Sequence, residues 1–147
     1  STSRYRNSIP KALPYLAVVD INDADSLAFQ KLAGIGPVLG SRIVRYREAL
    51  GGFHSQAQLL EVYGIDSSLY TKLLPQLKQL GTWQPPIPIN SINALELAKH
   101  PYLSRKQAGI IINYRNAHGL FGSFDDFKKI SALDLDILRK IEPYLKF

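Results

Sequence analysis

The chain has 147 residues, 46% of them apolar, and its 18 basic and 12 acidic side chains give a net charge of +6. No apolar run approaches the roughly 18 residues of a membrane-spanning helix. The absence of Cys excludes disulfides, thiolate metal sites and cysteine catalysis. The positive charge favours an anionic partner, such as nucleic acid or an anionic lipid surface.

The first 19 residues are predicted to form an extended lead-in segment, because Pro10 and Pro14 interrupt a stretch of mixed polarity. The chain begins at Ser1 and contains no Met. We therefore expect a longer protein upstream, where any signal peptide or membrane anchor would lie.

The remainder of the chain repeats itself after a shift of 68 positions, which aligns Asn22 with Asn90 and continues without a gap to Lys78 on Lys146. The Pro-rich residues 81–89 between the copies are predicted to form a stiff, extended linker. This divides the chain into module 1 (20–80), the linker, and module 2 (90–147). Module 1 has no net charge, whereas module 2 carries +3.

Each module is predicted to contain four short helices. In module 1 the first helix follows a cap at Asn22 or Asp23, and Pro37 lies in the first turn of the second helix. Ser55 and Asp66 are predicted to cap the third and fourth helices. Module 2 repeats the plan with Asn90, Gly119, Ser123 and Asp134, and strand signals are almost absent, so the fold class is all-α.

The turn between the first two helices of module 1 reads Leu32-Ala-Gly-Ile-Gly36, followed by Pro37. Together with Gly51-Gly52-Phe53 and Val62-x-Gly64-Ile65, this pattern resembles the tandem helix-hairpin-helix domain of competence DNA receptors of the ComEA family. The resemblance covers residues 20–78 and, more weakly, 88–146. It implies two SAM-like, ComEA-like modules, and a DNA-holding protein that is exported and membrane-anchored at the cell envelope, with a periplasm-exposed DNA-binding part.

The chemistry expected at this turn follows from its residues. Glycine at Gly34 and Gly36 permits positive φ and close backbone approach, while Ile35 can pack inward. The amides near Gly34, Gly36 and Val38 would then point outward at a helix start, where a phosphate oxygen is a suitable ligand. Such contacts read no bases, so we predict sequence-nonspecific, salt-sensitive binding of double-stranded DNA.

Cationic side chains are expected to support this contact. Arg42 and Arg45 lie three apart on the second helix and are predicted to flank the phosphate backbone. In module 2 the turn becomes Tyr102-Leu103-Ser104, which is less open, so Arg105 and Lys106 are predicted to make a secondary contact through their side chains. The second turns of both modules place an acid, Asp66 or Asp134, at a helix start and are predicted to serve packing.

No catalytic set is evident. The three histidines have no metal-ligand or triad spacing, and neither a cofactor motif nor a phosphate loop is present. Base-excision glycosylases also use such hairpins, but within a larger helical domain. The prediction is therefore a protein that is not an enzyme, with no cofactor and no metal. The alternative function is a structural or protein-interaction module, because a minor pseudopilin of the type II secretion system has related architecture.

Overall fold

The structure is a computed structural model that describes residues 17–79 and 81–147. The predicted lead-in segment spans residues 1–19, and its first 16 residues lie outside the described part of the chain. Module 1 contains β1 (Val19–Asp20), α1 (Ser26–Phe29), α2 (Pro37–Leu50), a 3₁₀ helix (Gln56–Glu61), α3 (Ser67–Leu73), a second 3₁₀ turn (Leu74–Gln76) and β2 (Leu77–Lys78). Module 2 contains β3 (Ile87–Pro88), α4 (Ala94–Leu97), α5 (Arg105–His118), α6 (Phe124–Phe127), α7 (Leu135–Ile141), a 3₁₀ turn (Glu142–Tyr144) and β4 (Leu145–Lys146).

The all-α fold class is confirmed, with one addition. Each module is closed by a short parallel strand pair: β1 pairs with β2 through Val19 and Leu77, and β3 pairs with β4 through Ile87 and Leu145. Two-residue strands are too short to show a periodic pattern, so they could not be predicted from the sequence. The pairs bring the first and last residues of each module together.

The first helix of each module begins later than predicted. Asp25 caps α1 by accepting a hydrogen bond from the Ala28 amide, and Asn93 caps α4. Asn22 instead exchanges two hydrogen bonds with the backbone of Phe53, at 2.7 and 2.8 Å. Asn90, 68 positions later, forms the same pair of bonds with Phe121. These asparagines therefore hold the start of each module to the segment after its long helix.

An arginine near the end of each long helix completes this attachment. Arg47 donates from its Nη1 to the carbonyls of Ile21 and Ala24. Arg115 donates to the matching carbonyls in module 2, at 3.0 and 2.6 Å. Both arginines are thus structural, because they satisfy buried carbonyls that no helix or strand bond reaches.

The two modules share one continuous apolar core. Its largest fully buried side chains come from both modules and include Phe29, Phe53, Phe127 and Tyr144. Within the described ranges, no helix combines the length and the apolar character required to cross a membrane.

Candidate nucleic-acid interface

The first hairpin turn connects α1 to α2 through Gly34, Ile35 and Gly36. Gly34 has φ 90°, a left-handed conformation that L side chains rarely adopt. Ile35 is buried, and its amide donates to the Leu32 carbonyl at 3.1 Å, which fixes the turn. Gly36 is the N-cap of α2 in an extended conformation, and Pro37 is the first helical residue.

Several backbone amides at this turn have no acceptor in the described part of the chain. Nothing there accepts a hydrogen bond from the amides of Gly34, Gly36, Val38 or Leu39. A Cβ added at Gly36 would meet no atom within 4 Å, so the space beside Gly36 is open. These amides lie at the start of a 14-residue helix, where its dipole is positive. The turn can therefore accept an anionic oxygen without rearrangement.

The second turn of module 1 repeats the first after 30 positions, with Gly64 in the place of Gly34. The two turns pack against each other's helices. A Cβ at Gly34 would lie 2.8 Å from Leu69 of α3, and one at Gly64 would lie 3.3 Å from Leu39 of α2. Asp66, however, already caps α3 by accepting from the Leu69 amide at 2.8 Å. Its carboxylate occupies the position that an anionic ligand would take.

Arg42 connects the two turns. Its Nη1 donates to the Tyr63 carbonyl, and its guanidinium carbon lies 5.1 Å from the centre of the Tyr63 ring. The guanidinium is therefore partly used within the protein, which limits the predicted role of Arg42 as a free clamp. Arg45 is exposed, and no described residue pairs with its side chain.

The corresponding turn of module 2 has used its amides internally. Tyr102 occupies the position of Gly34, and its amide donates to His100 Nδ1 at 3.1 Å. The Ser104 amide donates to Gln107 Oε1 at 2.9 Å, and the Gln107 amide donates to Ser104 Oγ at 3.1 Å. This reciprocal capping box satisfies two groups that remain free in module 1.

Arg105 and Lys106 are exposed in the first turn of α5, immediately after this capped turn. The Ser104 and Gln107 amides beside them are satisfied, so fewer backbone donors are free here than at the turn of module 1. Their predicted secondary contact stays a prediction.

Tyr102 points instead into the interface between the modules. Its hydroxyl donates to Glu61 at 2.6 Å and accepts from Gln58 Nε2 at 2.7 Å. Tyr46 donates to the same Glu61 oxygen at 2.6 Å. Burial, with the Glu61 carboxylate adding to it, raises the pKa of both tyrosines, so both hydroxyls stay protonated.

Other contacts extend this interface. Gln58 also donates to the Tyr144 hydroxyl at 2.7 Å, and Tyr144 donates to the Gly52 carbonyl at 2.7 Å. Burial raises the pKa of Tyr144 to about 12. Trp83, which follows module 1, donates to the Pro143 carbonyl at 2.7 Å. The two modules are thus joined by directional bonds, most of them partly or fully buried.

His100 lies inside this interface, with its ring 4.7 Å from that of Tyr144 and 5.0 Å from that of Tyr102. It is buried, and its Nε2 has no hydrogen-bond partner among the described residues. Burial lowers the pKa of His100 to about 4, so the imidazole is neutral near pH 7. In module 1 the matching residue is the buried Leu32.

Sequence reasoning missed Tyr63. Its signal was available in a comparison of the two copies, because Arg42 and Tyr63 both occur in the module with the open turn. Their counterparts in module 2 are Ile110 and Ser131. No cluster of three or more His, Asp or Glu side chains that could hold a metal ion occurs within the described ranges.

Several curated proteins that share one name match this chain at low sequence identity. The chain is 28% identical over 152 residues to the rat "Endonuclease/exonuclease/phosphatase family domain-containing protein 1", a match that covers 84% of this chain and 27% of the relative. The mouse and human proteins of that name are 28% and 27% identical over the same coverage. This chain therefore spans about a quarter of the length of these curated relatives. No solved structure matches the chain significantly.

These relatives correct one prediction. The prediction that the protein is not an enzyme is wrong on this finding, because the relatives' name contains an endonuclease/exonuclease/phosphatase family domain. The prediction considered only the catalytic groups visible in 147 residues, whereas the matched region is a minor part of each relative. The absence of a catalytic set in these residues therefore did not justify it.

The family itself is clear from a different comparison. The family model described as "Helix-hairpin-helix motif" matches residues 16–78 and again residues 84–146, most of the chain in two tandem copies. The ComEA family within this group is not distinguished by the match. The free amides at the first turn, the buried Ile35 and the family match agree, and the chain belongs to the helix-hairpin-helix family.

Proposed function

We propose that this chain binds double-stranded DNA without sequence preference, through phosphate contacts at the first hairpin turn of module 1. Helix-hairpin-helix motifs are generally associated with nonspecific DNA binding. The observation that carries the proposal is the set of unpaired amides at Gly34, Gly36 and Val38, in front of which the surface is open.

The mechanism is electrostatic and uses the backbone. A phosphate oxygen accepts hydrogen bonds from these amides and is stabilised by the positive end of the α2 dipole. Arg45 adds an exposed cation eight residues after Pro37, and Arg105 with Lys106 supplies a second contact from module 2. Because none of these groups reads a base edge, affinity depends on salt rather than on sequence.

A salt titration tests the proposal. Duplexes of unrelated sequence are titrated with the protein at about 50 mM and about 200 mM salt, and binding is followed by fluorescence anisotropy. A contact with about four phosphates lowers affinity on the order of a hundredfold between the two conditions. We expect that loss, with similar affinities for all sequences. No binding at the lower salt concentration would overturn the proposal.

A structural or protein-interaction role is the second candidate, and one observation favours it for module 2. The turn of that module is internally capped, and its Tyr102 is committed to the contact with Glu61 and Gln58. Failure of all DNA binding would leave this role for the whole chain.

DNA capture of the ComEA kind, with a membrane anchor at the cell envelope, is also a proposal. Its support is the resemblance of the hairpin pattern. Fractionation of cells that express the full-length native protein tests it, and recovery away from the envelope would refute it.

A further inference from the structure

Tyr63 is the most exposed of the large hydrophobic side chains in the described part of the chain, with 84% of its surface accessible. It precedes Gly64 in the second turn of module 1 and contributes little to the core. A single exposed tyrosine is normal on a protein surface. A tyrosine ring that other groups hold in one position needs an explanation.

The ring of Tyr63 is positioned by Arg42. The guanidinium carbon lies 5.1 Å from the ring centre, and Nη1 of the same group donates to the Tyr63 carbonyl. This double contact holds one face of the ring against the cation. Because the side chain is so exposed, the opposite face is left to solvent.

The ring is connected to the open hairpin turn through α2. Arg42 belongs to α2, whose first residues carry the free amides, and Gly64 packs against Leu39 in that same first part of the helix. Helix α2 therefore carries both the free amides and the cation on which the ring rests.

The internal duplication provides a comparison. Module 2 retains the structural pairs Asn90–Phe121 and Arg115–Ile89. At the positions of Gly34, Arg42 and Tyr63 it has Tyr102, Ile110 and Ser131. The cation and the ring are thus absent from the module whose turn is closed, which links them to the ligand rather than to the fold.

We propose that Tyr63, held by Arg42, stacks on an unpaired base, so that the chain prefers duplex DNA with an adjoining single-stranded nucleotide over a continuous duplex. In a continuous duplex the base faces are covered by their neighbours, and only the base edges and the backbone are available. An unpaired base exposes a flat face that an aromatic side chain can cover regardless of sequence. This inference rests on the proposed function and names its substrate more closely.

The test compares two DNAs of equal charge. Both have the same duplex with a three-nucleotide overhang, which carries normal bases in one and abasic residues in the other. Stacking on one base is worth on the order of tenfold in affinity. We expect the wild-type protein to bind the normal overhang about tenfold more tightly, and Tyr63→Ala to reduce this ratio to about one.

Matched variants separate stacking from other effects. Tyr63→Phe keeps the flat face and should keep the ratio, whereas Tyr63→Leu stays apolar and should lose it. Leu120→Ala, at another exposed apolar position with 73% of its surface accessible, should leave the ratio unchanged. Equal binding of the two overhangs by the wild type, or a ratio that persists in Tyr63→Ala, overturns the inference while duplex binding stands. A protein that binds neither DNA at about 50 mM salt refutes both the inference and the proposed function.

Discussion

Replacement of Gly36 by Asp should raise the stability of the protein and lower its affinity for DNA. Gly36 is the N-cap of α2, its φ of −96° suits any residue, and a Cβ there meets nothing within 4 Å. Asp is a better N-cap than Gly by a few tenths of a kcal/mol, and its charge favours the helix dipole. Module 1 already shows this arrangement at Asp66, which accepts from the Leu69 amide. We expect unfolding free energy to rise by about 0.5 kcal/mol.

The same carboxylate would occupy the place of the phosphate. Loss of two hydrogen bonds to a charged group costs on the order of 3 kcal/mol, about a hundredfold in dissociation constant. Fluorescence anisotropy on a continuous duplex and urea denaturation provide the two measurements. Ser123→Asp adds the same charge at the N-cap of α6, which is not among the proposed DNA contacts, and should alter DNA affinity less than about twofold.

A Gly36→Asp variant that bound DNA as tightly as the wild type, while its stability rose as expected, would contradict a role of these amides in DNA binding. That result would show that the cap forms and that DNA does not use these amides. A simultaneous loss of stability and binding would instead show that the backbone at Gly36 is not free to accept a side chain, contrary to the open space in front of it.

Three further predictions concern stability, each measured by urea denaturation. Gly34→Ala should lower the free energy of unfolding by about 2 kcal/mol, because Gly34 has φ 90° and an added Cβ would lie 2.8 Å from Leu69. An unchanged urea midpoint would contradict this. His100 has a pKa of about 4 in the folded state and about 6.5 in the unfolded state, so the unfolded state binds the proton first as the pH falls. The free energy of unfolding should therefore fall by about 2 kcal/mol between pH 7 and pH 5. In His100→Leu most of this loss should disappear, with a remainder from His54, whose pKa burial also lowers; an undiminished loss would assign it to another group. Tyr102→Phe should cost about 1 to 2 kcal/mol by leaving Glu61 with one tyrosine partner, and a neutral effect would show that the module contact is loose.

Local sequence rules predicted the all-α fold class, and several of their signals occur in both copies of the repeat. Pro37 at a helix start, Gly51 at its end with φ 87°, and the caps at Ser55 and Asp66 each follow from backbone chemistry that acts within a few residues. The roles of Asn22 and Asn90 did not follow in the same way. Their partners lie 31 positions away, and a cap and a tertiary bond use the same side-chain atoms.

The candidate site was predictable to a similar extent. Gly34 and Gly36 could be predicted as site residues because an accessible backbone requires residues without side chains, and glycines are visible in the sequence. The closure of the module 2 turn depends on the rotamers of His100 and Gln107, and the use of Arg42 depends on where the Tyr63 carbonyl lies. The Arg42–Tyr63 contact joins residues that only the folded packing brings together. The Ser104–Gln107 capping box is local, and its Ser-x-x-Gln spacing was a signal that the prediction did not use.

The short parallel strands have a consequence for how such a chain can grow. In both modules the entering and leaving segments run side by side, with Val19 beside Leu77 and Ile87 beside Leu145. A unit whose ends meet can be copied or inserted in tandem without stretching its neighbours, since the new copy adds no distance to be spanned. Once two such units existed, one could retain ligand binding while the other accumulated side chains, such as Tyr102, that contact the first unit.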